Sequence, residues 1–258
     1  MFFAQRTTIA WLLCALLGSG LGLATTTATA ATAPLKITVY GGTGNIGQRI
    51  VAEALRRGHQ VTVVARDPSK LALRQAGLAV AKGDVLDTAG VARLVAGQDV
   101  VISAINNGRG SASEGNDFLV RAAKSLVAAL QGLGAKAPRL LVVGGAGSLE
   151  VAPGVTLIDQ MRQGGGPGAA MVNAGGGPVE QQLALDYYRT VSDVDWTYFS
   201  PAMRIEPGQR TGVFRLGGDQ IVKDARGESR ISIEDYAVAM LDEVEHPTHA
   251  RQRFTIGY

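Results

Sequence analysis

Three glycines near residue 40 have the spacing of a loop that binds phosphate groups. Gly41, Gly44 and Gly47 form a G-x-x-G-x-x-G pattern between the apolar run LKITVY and an amphipathic helical pattern. The first glycine allows a tight turn, the second lets backbone N–H groups approach a pyrophosphate, and the third lets the helix pack on the strand. The pattern predicts a dinucleotide-binding loop, with a glycine-rich turn that binds nothing as the alternative.

The residues around these glycines extend the predicted site. Thr43, Asn45 and Ile46 lie inside the loop and are expected to contact the cofactor. At the end of the second strand, in ARDPSK, Arg66 lies where a 2′-phosphate would bind, which favours NADP over NAD. Asp67 keeps NAD open, because a carboxylate at this place can hold the 2′-hydroxyl of NAD.

Two later strand ends complete the predicted cofactor site. In the run GDV, Asp84 is placed to accept a hydrogen bond from the adenine amino group, and Val85 lies along the same ring. In the run SAINN, Ala104 and Asn106 lie beside the cofactor ribose. Both assignments depend on the glycine loop being a dinucleotide site.

The elements that must position these residues alternate in type. Strand and helix patterns at this spacing predict an α/β fold, a Rossmann-like doubly wound parallel sheet with helices on both faces. We expect one domain over residues 34–258, with a small C-terminal region on the substrate side that includes an edge strand or hairpin at Gly217-Gly218. A helix that follows is predicted to be capped by Ser232. The predicted strands are 35–40, 60–65, 78–85, 99–106, 139–146 and 195–201, and the predicted helices are 46–59, 88–97, 117–134, 179–192 and 232–245.

The segment QGGGPGAAMVNAGGGP, residues 163–178, has almost no large side chains. This composition predicts a flexible, glycine-rich surface loop. A lid over a ligand would need the same flexibility, so that interpretation stays open.

The first thirty residues predict an export signal. A single Arg precedes the uncharged apolar run TTIAWLLCALLGSGLGLA, and small neutral residues follow it. This order, with cleavage after Ala28-Thr29-Ala30, is typical of a secretory signal peptide over residues 1–30. We therefore expect an exported, periplasmic protein with no membrane segment after cleavage; an uncleaved membrane anchor is the alternative.

Composition excludes several classes of function. The sequence pI is about 9.1, but the net charge is only +3 and no run of Lys or Arg exceeds a pair, so nucleic-acid binding is not expected. The one cysteine, Cys14, lies in the predicted signal, so the mature chain would have no disulfide, thiolate metal site or cysteine nucleophile. His246 and His249 lie at a polar helix end and are interpreted as surface residues, so no metal site is predicted.

Several motifs resemble a known family. VYGGTGNIGQ, VVARDPSKL and DWTYFSPA look like the atypical short-chain dehydrogenase/reductases, and GGAGSLEVAPG with RLGGDQ resembles more narrowly their NAD(P)H-binding NADH-flavin reductase group, related to biliverdin reductase B. The likeness covers residues 35–258 except the glycine-rich segment. It implies a bound dinucleotide and hydride transfer to a flat conjugated acceptor such as a flavin or quinone. It also implies that Ser200-Pro201 lie beside the nicotinamide amide and that Gly144 lies close to the cofactor.

The catalytic candidates are Ser148 and Tyr188. Short-chain dehydrogenases usually pair a Tyr with a Lys four residues later, but here Val191 and Ser192 occupy the positions four after Tyr187 and Tyr188. Without that pair alcohol oxidation is disfavoured, whereas a flavin or quinone stabilises the added charge itself. Ser148 is the candidate donor to a substrate oxygen, or else a loop serine; Tyr188 is the second candidate, or else a packing residue.

The leading hypothesis is therefore an NADP(H)-dependent oxidoreductase that acts on a small conjugated molecule. A second hypothesis is an epimerase or dehydratase-like enzyme on the same scaffold, which would need an acid/base group. A third is a dinucleotide-binding regulator or redox sensor that turns nothing over. No partner beyond a small-molecule substrate is predicted, and the oligomeric state stays open.

Overall fold

Short β-branched runs alternate with helices from Lys36 onwards, as the sequence predicts. The computed structural model describes residues 33–70, 75–106 and 117–258, so the predicted signal peptide over 1–30 lies outside the described residues. The strands are β1 Lys36–Tyr40, β2 Gln60–Ala65, β3 Leu78–Lys82, β4 Val100–Ser103, β5 Arg139–Val143, β6 Glu150–Ala152, β7 Val155–Thr156, β8 Trp196–Ser200, β9 Arg204–Glu206, β10 Arg215–Gly217, β11 Arg230–Ser232 and β12 Gln252–Gly257.

Five helices coincide with the predicted ones to within a few residues, and two others were not predicted. The predicted cap of the last helix is present, because Ser232 Oγ accepts a hydrogen bond from the Asp235 N–H at 2.9 Å. The helices are α1 Asn45–Arg56, α2 Thr88–Val95, α3 Phe118–Leu133, α4 Leu157–Gly164, α5 Gly166–Asn173, α6 Gly177–Arg189 and α7 Ile233–Glu245.

Within the described residues, eight strands form one sheet in the order β10-β12-β8-β5-β4-β1-β2-β3. Seven of them are parallel, and the edge strand β10 is antiparallel to β12. The chain returns from the β3 edge to pair β4 with β1, so the strand order reverses between β1 and β4. In sheets of this kind ligands bind at the carboxyl ends of the strands where the order reverses.

Helices cover both faces of this sheet, which confirms the predicted doubly wound Rossmann-like fold. Ile37 and Val39 of β1 belong to a core cluster that includes residues of α1 and α7. Tyr40 belongs to a second cluster with residues of α2, α3 and α6. The period-two alternation of β1 therefore places successive side chains in opposite layers.

The end of the chain packs into the main core, and the predicted role of this C-terminal region on the substrate side stays a prediction. β12, which was not predicted, pairs in parallel with β8, and α7 packs on α1. The ring of Phe199 on β8 stacks between Tyr236 of α7 and Phe254 of β12, with centroid separations of 4.2 and 4.0 Å. This stack joins the last helix and the last strand to the centre of the sheet.

The segment between β9 and β10 is held against α1 by a buried carboxylate. Glu53 is 5% exposed, and its Oε2 accepts a hydrogen bond from Arg210 Nε at 2.9 Å. Burial by itself disfavours the charged form, but hydrogen bonds from Arg56, Arg210 and Arg57 hold the pKa of Glu53 below its usual range. The ionised carboxylate therefore fixes this segment on the helix that begins at the glycine loop.

The glycine-rich segment 163–178 is mostly helical, which differs from the predicted loop. It contains the end of α4, all of α5 and the start of α6. Gly165, with a φ of +70°, separates α4 from α5, which begins at Gly166, and Ala169 and Val172 of α5 are buried. Composition alone indicated a loop because side chains this small form a helix only when neighbouring elements cover them. Flexibility and a role as a lid stay predictions.

Of the described residues, one segment is long and apolar enough to cross a membrane. This segment, Phe118–Lys136, is α3 with the turn that follows it, and half of its most apolar window is buried inside the protein. α3 packs between α2 and α6, so its apolar character is explained by core packing.

Candidate functional site

The glycine loop follows β1 at the carboxyl edge of the sheet, and its backbone is too closely packed for side chains. Gly41 has a φ of +77°, and a Cβ there would lie 2.4 Å from the Ala104 carbonyl oxygen. A Cβ on Gly47 would lie 2.1 Å from the Gly41 oxygen, because the first turn of α1 rests on the turn after β1. The Gly44 N–H donates to that same oxygen at 3.0 Å. Glycine is thus sterically required at the first and third positions.

The N-terminus of α1 is available to a ligand. Its N-cap residue is Gly44, and no side chain of the described residues caps the helix. Gly44 and Asn45 are exposed, while Ile46 is half-buried against the core. The first N–H groups of a helix have no partner within it and carry partial positive charge, so an uncapped start favours an anion.

Two side chains of α1 donate hydrogen bonds that hold the glycine loop in place. Gln48 Nε2 donates to the Thr43 carbonyl at 2.8 Å, and Arg49 Nη1 donates to Asn45 Oδ1 at 2.8 Å. Arg49 also contacts Glu234 at the start of α7, with Nε 3.3 Å from Oε1. The loop is therefore positioned before any ligand binds.

Arg66 follows β2, the neighbour of β1, and its side chain is exposed at the same edge. Asp67, the residue that would favour NAD, accepts hydrogen bonds from the Ser69 hydroxyl at 2.6 Å and from the Ser69 N–H at 3.1 Å. This carboxylate stabilises the short turn after β2. Arg66 lies at the end of β2, the strand that pairs with β1, and its contact with a 2′-phosphate stays a prediction.

The other residues predicted to contact the cofactor lie just after the carboxyl ends of β3 and β4. Asp84 is exposed beyond β3 and accepts a hydrogen bond from the Leu86 N–H at 2.9 Å, whereas the Val85 side chain is buried in the core. Ala104 directly follows β4 and touches the glycine turn, and Asn106 is exposed two residues later. The structure thus brings these ends to one edge of the sheet, and their contacts with a cofactor stay predictions.

At the end of β8, Ser200 carries a buried hydroxyl without a partner. Its Oγ is among the buried polar atoms of the described residues that make no hydrogen bond. Ser200 is fully buried and is followed by buried Pro201. A buried unpaired hydroxyl costs free energy, and the predicted contact between Ser200 and the nicotinamide amide stays a prediction.

The two glycines after β5 are closely packed against side chains of β8 and α6. A Cβ on Gly144 would lie 2.1 Å from the Tyr198 ring, and one on Gly145 would lie 1.7 Å from Gln181 Oε1. The Tyr198 hydroxyl donates to the Gln181 backbone carbonyl at 2.9 Å. The start of α6 is therefore held against the end of β5, and Gly144 has a structural role whether or not it contacts a cofactor.

A narrow cleft, which we name the α6 cleft, lies between the ends of β4 and β5 and helices α3 and α6. It is apolar and aromatic, and no Lys, His, Asp or Glu is among its described lining residues. Next to it, buried Glu180 accepts a hydrogen bond from the Leu119 N–H at 2.7 Å, which joins α6 to the first turn of α3. The lining residues are Ser103, Ile105, Leu119, Ala123, Val142, Val143, Gln181, Ala184, Tyr188 and Tyr198.

Tyr188 lies on the inner wall of the α6 cleft and is 2% exposed. Its ring packs against Trp196 and Tyr198, with centroids at 5.8 and 6.1 Å. Burial is the main cause that raises the pKa of Tyr188 far above its usual range, and the neighbouring Tyr198 raises it further. The hydroxyl therefore stays protonated at neutral pH. This geometry favours packing over proton transfer, the alternative that the sequence left open.

Ser148 follows β5 in the chain and lies next to β12. Its Oγ is 3.5 Å from Nη1 of Arg253, a buried residue of β12. Arg253 in turn donates from Nε to Asp219 Oδ1 at 2.7 Å. The serine is therefore oriented by an ion pair that sequence analysis missed, and its role as a donor to substrate stays a prediction.

Comparison with known proteins identifies the family. Residues 41–244 match the model of the family described as NAD(P)H-binding. The chain belongs to this family. The matched range includes the glycine loop described above. The predicted membership of an NAD(P)H-binding group is therefore confirmed.

Three solved structures are similar over nearly the whole folded chain. A protein of Burkholderia pseudomallei named as a candidate exported protein is 44% identical, with a TM-score of 0.72, over 87% of this chain and 100% of its own. A candidate epimerase of Bacteroides thetaiotaomicron is 39% identical, with a TM-score of 0.75, over 87% and 97%. A candidate NADH-flavin reductase of Streptococcus pneumoniae, SP1627, is 29% identical, with a TM-score of 0.71, over 86% and 99%.

The residues missed from the sequence are those that tertiary contacts bring to the site. Gln181 reads as an ordinary polar position in the helical pattern of α6, and Arg253 lies in a strand that was not predicted. Tyr198 gave only the signal of a large aromatic residue within the predicted strand DWTYFSP.

Gly47→Ala is expected to weaken NADPH binding at least about tenfold. The added methyl group would lie 2.1 Å from the Gly41 oxygen, so α1 has to move away from the loop that it supports. Fluorescence titration of the purified variant with NADPH measures the change, and circular dichroism checks that the variant folds.

Gly132→Ala is the matched control. Gly132 lies in α3, where a Cβ would meet nothing within 4 Å, so the affinity stays unchanged and the Tm stays equal or rises slightly. If Gly47→Ala folds and binds NADPH as tightly as this control, the loop is not the cofactor site.

Proposed function

We propose that the chain is an NADP(H)-dependent reductase of small conjugated acceptors such as flavins or quinones. The observation that carries the proposal is the glycine loop at the carboxyl edge of the sheet, where Gly41 and Gly47 leave no room for a Cβ and the start of α1 is uncapped, in a chain that belongs to the NAD(P)H-binding family. A flat acceptor that stabilises its own added charge needs no acid/base residue, which agrees with the absence of a Lys four residues after Tyr187 or Tyr188. The similarity to the S. pneumoniae candidate NADH-flavin reductase supports the same class.

The chain's residues would bind and orient the cofactor. The glycine loop and the uncapped start of α1 would hold the pyrophosphate, Arg66 the 2′-phosphate, Asp84 the adenine and Ser200 the nicotinamide amide. When bound, NADPH supplies a hydride, which carries two electrons. The acceptor gains that hydride and one proton from solvent, so positioning and exclusion of water are the protein's main contributions.

A second candidate function is an epimerase-like reaction, favoured by the 39% identity to the B. thetaiotaomicron candidate epimerase. That chemistry needs a group that removes a proton from the substrate. The Tyr188 hydroxyl does not suit this task, because its pKa lies far above neutral pH. We therefore place the reductase first.

Purified mature protein is expected to consume NADPH in the presence of at least one acceptor from a panel of flavins and quinones. The loss of NADPH absorbance measures the reaction, and the same panel without protein gives the background rate. Tight NADPH binding with no consumption across the panel would reject the reductase and support a dinucleotide-binding sensor.

Arg66→Ala is expected to raise the Kd of NADPH by about 10- to 100-fold and to leave the Kd of NADH within about twofold. The guanidinium would lose charge-assisted hydrogen bonds to the 2′-phosphate, a group that NADH lacks. Arg162→Ala, on α4, is the control for loss of an exposed arginine. Equal losses for both cofactors would contradict the assignment of Arg66.

We also propose that the protein is exported. The signal pattern over residues 1–30 and the similarity to the B. pseudomallei candidate exported protein support this location. Protein recovered from the periplasm is expected to begin at or near Ala31, as N-terminal sequencing would show. An intact Met1 in the recovered protein would refute cleavage.

A further inference from the structure

The side-chain amide of Asn45, the first residue of α1, is held in one orientation. Its Oδ1 accepts a hydrogen bond from Nη1 of Arg49 at 2.8 Å. A guanidinium has N–H donors and no acceptor, so only the oxygen end of the amide can face it. The N–H donors of Nδ2 therefore point away from Arg49. Asn45 is exposed, and these donors make no hydrogen bond with another described residue.

The guanidinium of Arg49 is itself fixed by the start of α7. Its Nε lies 3.3 Å from Oε1 of Glu234, and this ion pair is partly buried. The other carboxylate oxygen of Glu234, Oε2, accepts a hydrogen bond from the Gly208 N–H at 2.7 Å. Because both oxygens of Glu234 are engaged, the carboxylate sets the position of the guanidinium. The guanidinium in turn sets the orientation of the Asn45 amide.

The amide donors of Asn45 lie at the end of α1 that attracts an anion. No side chain of the described residues caps this helix, so its first backbone N–H groups are open to a ligand. The partial positive charge of the helix start and the amide donors favour the same kind of partner, an oxygen that carries negative charge. Arg49 and Glu234 have opposite charges, so the hydrogen bond that orients the amide is the main effect of the pair on this anion.

We propose that Arg49 is a positioning residue for the cofactor pyrophosphate and acts through Asn45. Nδ2–H of Asn45 would donate to a pyrophosphate oxygen, and Arg49, held by Glu234, would keep these donors turned towards the ligand. Without Arg49 the amide is free to rotate and present its oxygen, which repels a phosphate oxygen. The inference rests on the cofactor site of the proposed function and deepens it, because it names side chains that recognise the part common to NADP and NAD.

The test compares Asn45→Ala, Arg49→Met and the double variant. Asn45→Ala is expected to raise the Kd of NADPH and of NADH by about 5- to 20-fold, because both cofactors contain the pyrophosphate. Arg49→Met is expected to raise both Kd values by about 3- to 10-fold, since the donors are still present but no longer oriented. In the double variant, loss of Arg49 should add less than about twofold to the effect of Asn45→Ala, because the amide through which it acts is absent.

Adenosine 2′-monophosphate, which has no pyrophosphate, separates the role of Arg49 from that of Arg66. Its Kd is expected to stay within about twofold in Arg49→Met and to rise about tenfold or more in Arg66→Ala. Arg162→Met, which removes an exposed arginine that pairs with Asp159 on α4, is the matched control and should bind all three ligands as the wild type does. Circular dichroism and the Tm check that each variant folds.

An equal effect of Arg49→Met in the wild type and in Asn45→Ala would overturn the inference, because Arg49 would then act by its charge alone. Weaker binding of NADPH with unchanged binding of NADH would also overturn it and assign Arg49 to the 2′-phosphate. Isothermal titration calorimetry measures all these affinities without an acceptor. A protein that follows the expected pattern but oxidises no NADPH would therefore keep the inference and reject the reductase, whereas NADPH oxidation with unchanged affinities in both single variants would reject the inference alone.

Discussion

The site depends on a steric constraint at the turn that follows β1. Gly41 turns beneath the carbonyl of Ala104, and Gly47 allows the first turn of α1 to rest on the Gly41 oxygen, at distances where no Cβ fits. One close contact thus links β1 to the neighbouring β4, and the other directs the open end of α1 at the edge of the sheet. The crevice produced by the strand order and the partial positive charge of the helix therefore coincide.

A similar steric constraint occurs at the carboxyl end of β5, where it allows side chains to pack. Gly144 and Gly145 follow β5 as Gly41 follows β1, but here the missing side chains make room for the Tyr198 ring and the Gln181 amide. The first glycine turn leaves backbone N–H groups open to a ligand, and the second brings α6 against the sheet and forms the α6 cleft. The first turn therefore suits a charged ligand group, whereas the second serves the packing of α6 on the sheet.

The buried ion pairs of Glu53 and the uncharged lining of the α6 cleft lie in different parts of the molecule. The buried ion pairs that the structure describes, such as Glu53 with Arg57 and Arg210, join helices and loops outside the α6 cleft. The cleft itself contains hydroxyl groups and one carboxamide as its polar side chains among the described lining residues. Membership of the NAD(P)H-binding family agrees with a dinucleotide at the glycine loop, and no Lys, His, Asp or Glu is among the described residues that line the α6 cleft.

The sequence by itself determined the local features. The β-branched runs, the glycine spacing and the Ser232 cap predicted six strands of the main sheet, five helices and the dinucleotide loop, because these depend on neighbours within a few residues. Tertiary structure alone decided that residues 163–178 are largely helical, that β12 extends the sheet, and that Tyr188 is packed against Trp196. It also placed Gln181 beside Gly145, where the hydroxyl of Tyr198 on β8 donates to the Gln181 backbone carbonyl on α6. Such contacts between distant residues leave no periodic trace in the chain.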